Sequence, residues 1–128
     1  MEQIDQHDPF AELLGIEITE SCFEKAVAVV HIQPEFCNAM GTVHGGIIFS
    51  LADISFAAAC NSSANQYIGL QTEIRYMDQA RGNQLIAEAV LIKASKKFAH
   101  FQVSIRDNLE NDVALFTGTA YKLESKTQ

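Results

Sequence analysis

From about Val43 to Asn61 the chain runs for eighteen or nineteen residues with almost no polar side. Ile47, Ile48, Leu51, Ile54, Phe56 and the alanines at 52 and 57–59 fall all round a helical wheel. A helix that is apolar on every face has to be buried on nearly every face. At the usual rise it would be about 27 Å long, so most of the remaining chain is needed to cover it.

That remaining chain reads as strands. Ile16 to Ile32 is rich in Val and Ile with alternating segments, the pattern of one long strand or two in series, and Pro34 stops it. Four strand-like segments follow the helix: Tyr67–Met77, Gln84–Ala94, Phe98–Asp107 and Asp112–Leu123. Turn residues in Asp78–Asn83 and Asn108–Asn111 separate them. In Phe98–Asp107, Ala99, Phe101, Val103 and Ile105 alternate with His100, Gln102, Ser104 and Arg106, which marks one wet face. Ahead of all this, Asp8 to Gly15 reads as a short helix, with Asp at the cap, Pro in the first turn and Gly at the end. The pattern predicts an α+β fold: one long central helix wrapped by a curved antiparallel β-sheet.

A chain of 128 residues suits a single domain, 1–128, because two cores of half that size would each be marginal. Residues 1–9 are expected to be flexible. The longest stretch without a charge, Phe36 to Ala52, contains Asn38, Thr42, His44 and three glycines, so it is not a membrane span. Met1 to Phe10 has neither the basic nor the apolar region of a signal peptide, and a cytoplasmic location is expected. Cys22, Cys37 and Cys60 are odd in number, with no CxxC, which argues against a disulfide framework or a zinc site.

The net charge of −7 argues against nucleic acid as a partner. Its distribution is uneven. Ten acids and one base, Lys25, precede Arg75, whereas eight bases and six acids occur from Arg75 onward. The C-terminal half could take a small polyanion, or could simply be a solvated face.

Three features suggest chemistry. Gly45 and Gly46 sit where the long helix should begin, with N–H groups free at the positive end of the helix dipole. Such a place suits a carbonyl oxygen becoming an oxyanion. Asp53 lies inside an otherwise apolar helix, where a carboxylate without a partner is costly. Gly46 and Asp53 are seven residues apart, hence on one stripe, which continues to Cys60. Each feature has a plainer reading: a turn, a satisfied core Asp, a core His44. Their co-occurrence around one helix favours a site.

Asn-x-x-Gly-x-x-His-Gly-Gly from Asn38, then Phe-Ser-Leu-Ala-Asp to Asp53, then Phe-Ala-Ala-Ala-Cys-Asn-Ser resembles the hotdog-fold acyl-CoA thioesterases of the phenylacetate-degradation type. The resemblance continues to Val113–Tyr121 and covers about residues 10–123. It implies a hotdog fold, hydrolysis of acyl-CoA without metal or other cofactor, and dimers or tetramers with the site at the dimer interface. Asp53 matches the family's essential carboxylate, acting as general base on water or as nucleophile. Gly45 matches the N–H that binds the thioester oxygen. Asn38 and His44 match the polar pair that orients water and carbonyl, and Gly46 the position that keeps the acyl path open. Where some relatives carry a hydroxyl near the start of the second strand, this chain has Gly69, with Thr72 the nearest substitute. The CoA phosphates would lie near basic residues of the sheet: Arg75, Arg81, Lys96, Lys97 or Arg106, with the Lys96–Lys97 pair favoured.

The expected substrates are aromatic (phenylacetyl-like) or medium-chain acyl-CoA thioesters, with Phe36, Phe49, Phe56, Tyr76 and Met77 as possible pocket residues, and the expected setting is phenylacetate catabolism. Two other activities share the fold: a hotdog enoyl hydratase or dehydratase, and a non-catalytic acyl-CoA-binding module.

Overall fold

The computed structural model describes residues 7–123. The element order is α1 (Pro9–Leu14), β1 (Glu17–Cys22), β2 (Lys25–His31), a 3-10 turn (Pro34–Phe36), α2 (Gly45–Cys60), β3 (Tyr67–Tyr76), β4 (Gln84–Ala94), β5 (Phe98–Asp107) and β6 (Asp112–Lys122). The strands form one antiparallel sheet in the order β1-β2-β4-β5-β6-β3, with β1 and β3 as its edges. This is the hotdog fold, with α2 as its filling.

The sheet approaches α2 most closely where its side chains are smallest. Ala26 and Ala28 of β2 and Ala87 and Ala89 of β4 are fully buried beneath the helix. Ser55, also fully buried, satisfies its hydroxyl by donating to the Ala26 carbonyl at 3.2 Å, with the Ala87 carbonyl 3.4 Å away. Farther along the sheet, Phe56 fills the space under β6, and Gly118 makes room for it. A Cβ at Gly118 would stand 2.8 Å from the Phe56 ring. Leu51, Phe56, Phe101 and Phe116 are buried to within 2%, and each such side chain contributes about 1.5–3 kcal/mol on burial.

Two segments differ from expectation. Ile16 to Ile32 holds two strands rather than one, and they fold back on each other as a hairpin turning at Phe23 and Glu24, with Cys22 opposite Lys25. No Gly or Asn marks that turn. Phe23 tucks inward instead, its ring 5.7 Å from Tyr67 and 5.8 Å from Phe101, so tertiary packing makes the bend. The long helix is shorter than expected, Gly45–Cys60. Val43 bridges back to Cys37 and His44 becomes the cap, so neither residue is helical. The flexibility expected of residues 1–9 falls, for 1–6, outside the described residues. Pro9 opens α1, and Asp8 caps it by accepting from the Phe10 and Ala11 N–H groups.

A second polar centre closes the end of the sheet. Asp107 is fully buried and accepts from the Arg81, Gly82, Leu109 and Asn111 backbone N–H groups and from Asn111 Nδ2, at 2.7–3.1 Å. Burial alone would raise its pKa, but these donors hold its carboxyl well below the usual carboxylate range.

Candidate active site

The start of α2 is built by the loop before it. Asn38 Oδ1 accepts from Met40 N at 3.0 Å, Thr42 N at 3.1 Å and Thr42 Oγ1 at 3.1 Å. Gly41 closes the loop at φ 83°, a conformation that suits glycine. The Asn38 oxygen is thus committed to the loop, while its amide nitrogen has no partner among the described residues. The loop delivers His44 to the cap, where the His44 N–H donates to Phe36 O at 2.7 Å.

The cap decides which glycine N–H is free. Gly46 N donates to His44 Nδ1 at 2.9 Å, and Ile47 N donates to His44 O at 3.2 Å. Among the described residues, Gly45 N has no acceptor. Of the Gly-Gly pair, Gly45 therefore offers the open donor at the positive end of the helix. Because Nδ1 accepts, the neutral His44 ring carries its proton on Nε2 and turns that donor outward. Tyr76, at the end of β3, packs its ring against Gly45 and donates its hydroxyl to Gly45 O at 3.2 Å.

Asp53 lies two turns further along, about 10 Å beyond Gly46 along the axis. It is half-buried and opens into a groove of ≈ 410 Å³ between α2 and β3, lined also by Phe49, Ala57, Gly69, Gln71 and Thr72. Its carboxylate has no hydrogen-bond donor among the described residues. Burial, and secondly the nearby charge of Asp8, raise its pKa. A carboxylate poised in this way suits proton abstraction from water or attack on a carbonyl. Thr72 lies on the inner face of β3, opposite Gly118 in β6, so its hydroxyl reaches the same groove as Asp53. Cys60, the last residue on the Asp53 stripe, is buried and its thiol is pushed up to about 12, which leaves it inert as a nucleophile.

One chain gathers Asn38, His44, Gly45 and Gly46 at the start of α2, and Asp53 and Thr72 in the groove two turns away. It does not bring the basic residues together. Arg75 is exposed next to Tyr76, at the Gly45 end of β3. Lys96 and Lys97 occupy the β4–β5 turn at the opposite end, where Lys122 N donates to Lys97 O near the start of β3. Eight residues of strand, about 26 Å, separate Tyr67 from Arg75. Arg81 is paired with Asp78, Nη1 to Oδ2 at 3.0 Å. Of Phe36, Phe49, Phe56, Tyr76 and Met77, Phe49 and Phe56 line the Asp53 groove, whereas Phe36 ends the 3-10 turn and Tyr76 covers Gly45. Asp8 carries no site signal in the sequence, and Tyr76 only that of a possible pocket residue; each meets its partner through the fold.

Among the described residues no cluster of three or more His, Cys, Asp or Glu side chains is placed to hold a metal ion. Among the described residues no helix is long and apolar enough to cross a membrane.

A hotdog sheet around a helix with an open N–H at its start and a half-buried carboxylate two turns on is the arrangement of a thioester hydrolase. The chain belongs to the Thioesterase superfamily, whose family model matches residues 40–114, more than half of its length. It is similar to the acyl-coenzyme A thioesterase PaaI of Escherichia coli K12, with 29% identity over 92% of this chain and 85% of that protein. The solved structure of E. coli PaaI superposes with a TM-score of 0.86 at 28% identity, covering 94% of this chain and 88% of the other. A point mutant of the phenylacetic acid degradation protein PaaI from Thermus thermophilus gives 0.85 at 31% identity, covering 91% and 100%.

Proposed function

We propose that this protein is a homodimeric acyl-CoA thioesterase in which Asp53 of one chain and Gly45 of its partner form each site. The observation that carries this reading is the half-buried Asp53 carboxylate, with no donor of its own, on the same helix as the one open N–H of the first turn. Gly45 N–H binds the thioester oxygen and stabilises the charge that develops there. Asp53 activates water, or attacks the carbonyl and passes through an anhydride that water then opens; CoA leaves as the thiol. The His44 Nε2–H and the Asn38 amide are the donors available to orient water and the carbonyl.

The need for two chains follows from distance. Within a chain the two groups are too far apart to act on one carbonyl. Strand β3 is an unpaired edge and exposes Ile68 and Leu70, at 49% and 59%. It lies beside Gly45 at Tyr76 and beside Asp53 at Gly69 and Thr72. Antiparallel pairing of two β3 edges would bring one chain's Gly45 end towards the partner's Asp53, and Arg75 towards the partner's Lys96 and Lys97. Those three basic residues are then the holders of the CoA phosphates, in a cytoplasmic enzyme that works without a metal or other cofactor. Two such dimers could pair further into a tetramer. The likeness to PaaI supports CoA as the carrier and an aromatic acyl group, as in phenylacetate breakdown.

Incubation with a panel of acyl-CoAs and a thiol reagent tests the activity. Free CoA appears from a hydrolase. A hydratase or a binding module leaves the thioester intact and rules the proposal out.

A further inference from the structure

We infer that His44 is a proton-operated latch on the start of α2: the neutral ring fixes the first turn with Gly45 N–H as its open donor, and a proton on the ring releases the turn and silences the site. The effect on turnover rests on the thioesterase reading above; the latch itself can be observed without turnover.

The ring lies over a residue with no side chain. A Cβ at Gly46 would stand 3.2 Å from His44 Nδ1 and 3.6 Å from its Cε1, so glycine at 46 makes room for the imidazole on the turn. Nδ1 is 2.9 Å from Gly46 N and accepts its proton. Two successive glycines give the first turn little stiffness of its own, so this side-chain cap decides whether Gly46 N–H stays engaged.

A proton on Nδ1 reverses the contact. Imidazolium has two donors and no acceptor, so Nδ1–H would meet Gly46 N–H donor to donor. Its positive charge would also stand at the positive end of the helix dipole. The ring then leaves the cap and takes its Nε2–H with it. Gly46 N–H opens beside Gly45 N–H, and the donor that faced the thioester oxygen loses its fixed place.

The neighbouring elements do little to hold an imidazolium in place. His44 is exposed. Around the cap stand Glu35 on the 3-10 turn, Cys37 opposite Val43 and Tyr76 over Gly45. Asp78, behind Gly45, is engaged by Arg81, and Asp53 is two turns along α2. None of them hydrogen-bonds the ring among the described residues. In the proposed dimer the partner's Asp53 also faces this end, and an imidazolium released from the cap would pair with it and occupy the base.

The test follows kcat/KM from pH 8 to pH 5, the range in which histidine changes charge, for wild type and His44→Asn. Asparagine is a good helix cap whose oxygen accepts from Gly46 N–H and takes no proton. The variant should be slower at every pH, because the Nε2 donor is lost. Across the range, however, wild type should lose about tenfold or more that the variant keeps, leaving the variant with the Asp53 limb alone. In parallel, nitrogen NMR of wild type should show Nδ1 without a proton at pH 8, and the Gly46 amide signal moving with the His44 ring as pH falls. An acid loss identical in wild type and a folded His44→Asn overturns the latch, as does a Gly46 amide that stays put while the ring titrates. Should the variant not fold, the Gly46 amide decides. Wild type that releases CoA from no thioester overturns the hydrolase reading alone, and the amide titration still decides the latch.

Discussion

Tyr76 donates its hydroxyl to the Gly45 carbonyl at 3.2 Å, and its ring stands where a Gly45 side chain would project. A Cβ at Gly45 would lie 3.2 Å from Tyr76 Cζ, tighter than ordinary contact. The first residue of α2, which presents the open N–H, is therefore clamped from the β3 edge. Gly45→Ala should push Tyr76 aside and cost about tenfold or more in kcat, as small misplacements of reacting groups do. In a Tyr76→Ala background the same change should cost much less, because the clash is gone. Tyr76→Phe keeps the ring and loses one hydrogen bond, about 1 kcal/mol. A double-mutant cycle on kcat and Tm measures the coupling, and additive effects would dissolve the clamp.

Asp8 acts on Asp53 through charge. It raises the Asp53 pKa in addition to the larger effect of burial. Asp8→Asn keeps a good helix cap and removes the charge. The acid limb of the kcat/KM profile, which reports the free enzyme's Asp53, should then move to lower pH. A limb that stays in place would separate the two carboxylates.

Asp107 makes stability depend on acid pH. Its folded pKa lies below the ordinary value of about 3.9. The stabilisation is therefore complete above that value and is lost as pH falls below it. Denaturant unfolding between pH 7 and pH 2 should show wild type losing stability faster than Asp107→Asn at the acid end. The variant should already be weaker at pH 7 by roughly 1–3 kcal/mol, because buried N–H donors lose their charged acceptor. Parallel curves would remove Asp107 from the acid response.

What could be read from the sequence follows the range of the interaction involved. Helix α2 was legible because its apolar faces and its Gly pair are local. The strands β4 and β5 were legible because alternation with period two is local too. The β1–β2 hairpin was not, since its bend depends on Phe23 reaching Tyr67 and Phe101. Asp53 stood out as a lone carboxylate in an apolar run. Tyr76 was legible only as a possible pocket residue; its contact with Gly45 was not, because it spans 31 positions. Asp107 likewise joins a turn 25 positions away. The basic residues could be counted in the chain, but their division between the two ends of β3 is a property of the sheet.

The shared site predicts complementation. Asp53→Asn chains and Gly45→Val chains should each be nearly inactive. Unfolded and refolded together in equal amounts, they should recover about a quarter of wild-type activity, since half the dimers are mixed and each mixed dimer has one intact site of two. Mixtures as inactive as the parents, with heterodimers confirmed by mass, would assign each site to a single chain.

The most direct measurement is kcat of Asp53→Asn on an acyl-CoA that wild type hydrolyses, taken together with its Tm. Asparagine keeps size and polarity and removes the base, so turnover should fall by about 10²–10⁴-fold. Because burial raises the Asp53 pKa, its ionised form opposes folding at neutral pH, and Tm should hold or rise. A folded Asp53→Asn enzyme turning over at near wild-type rate would contradict the account.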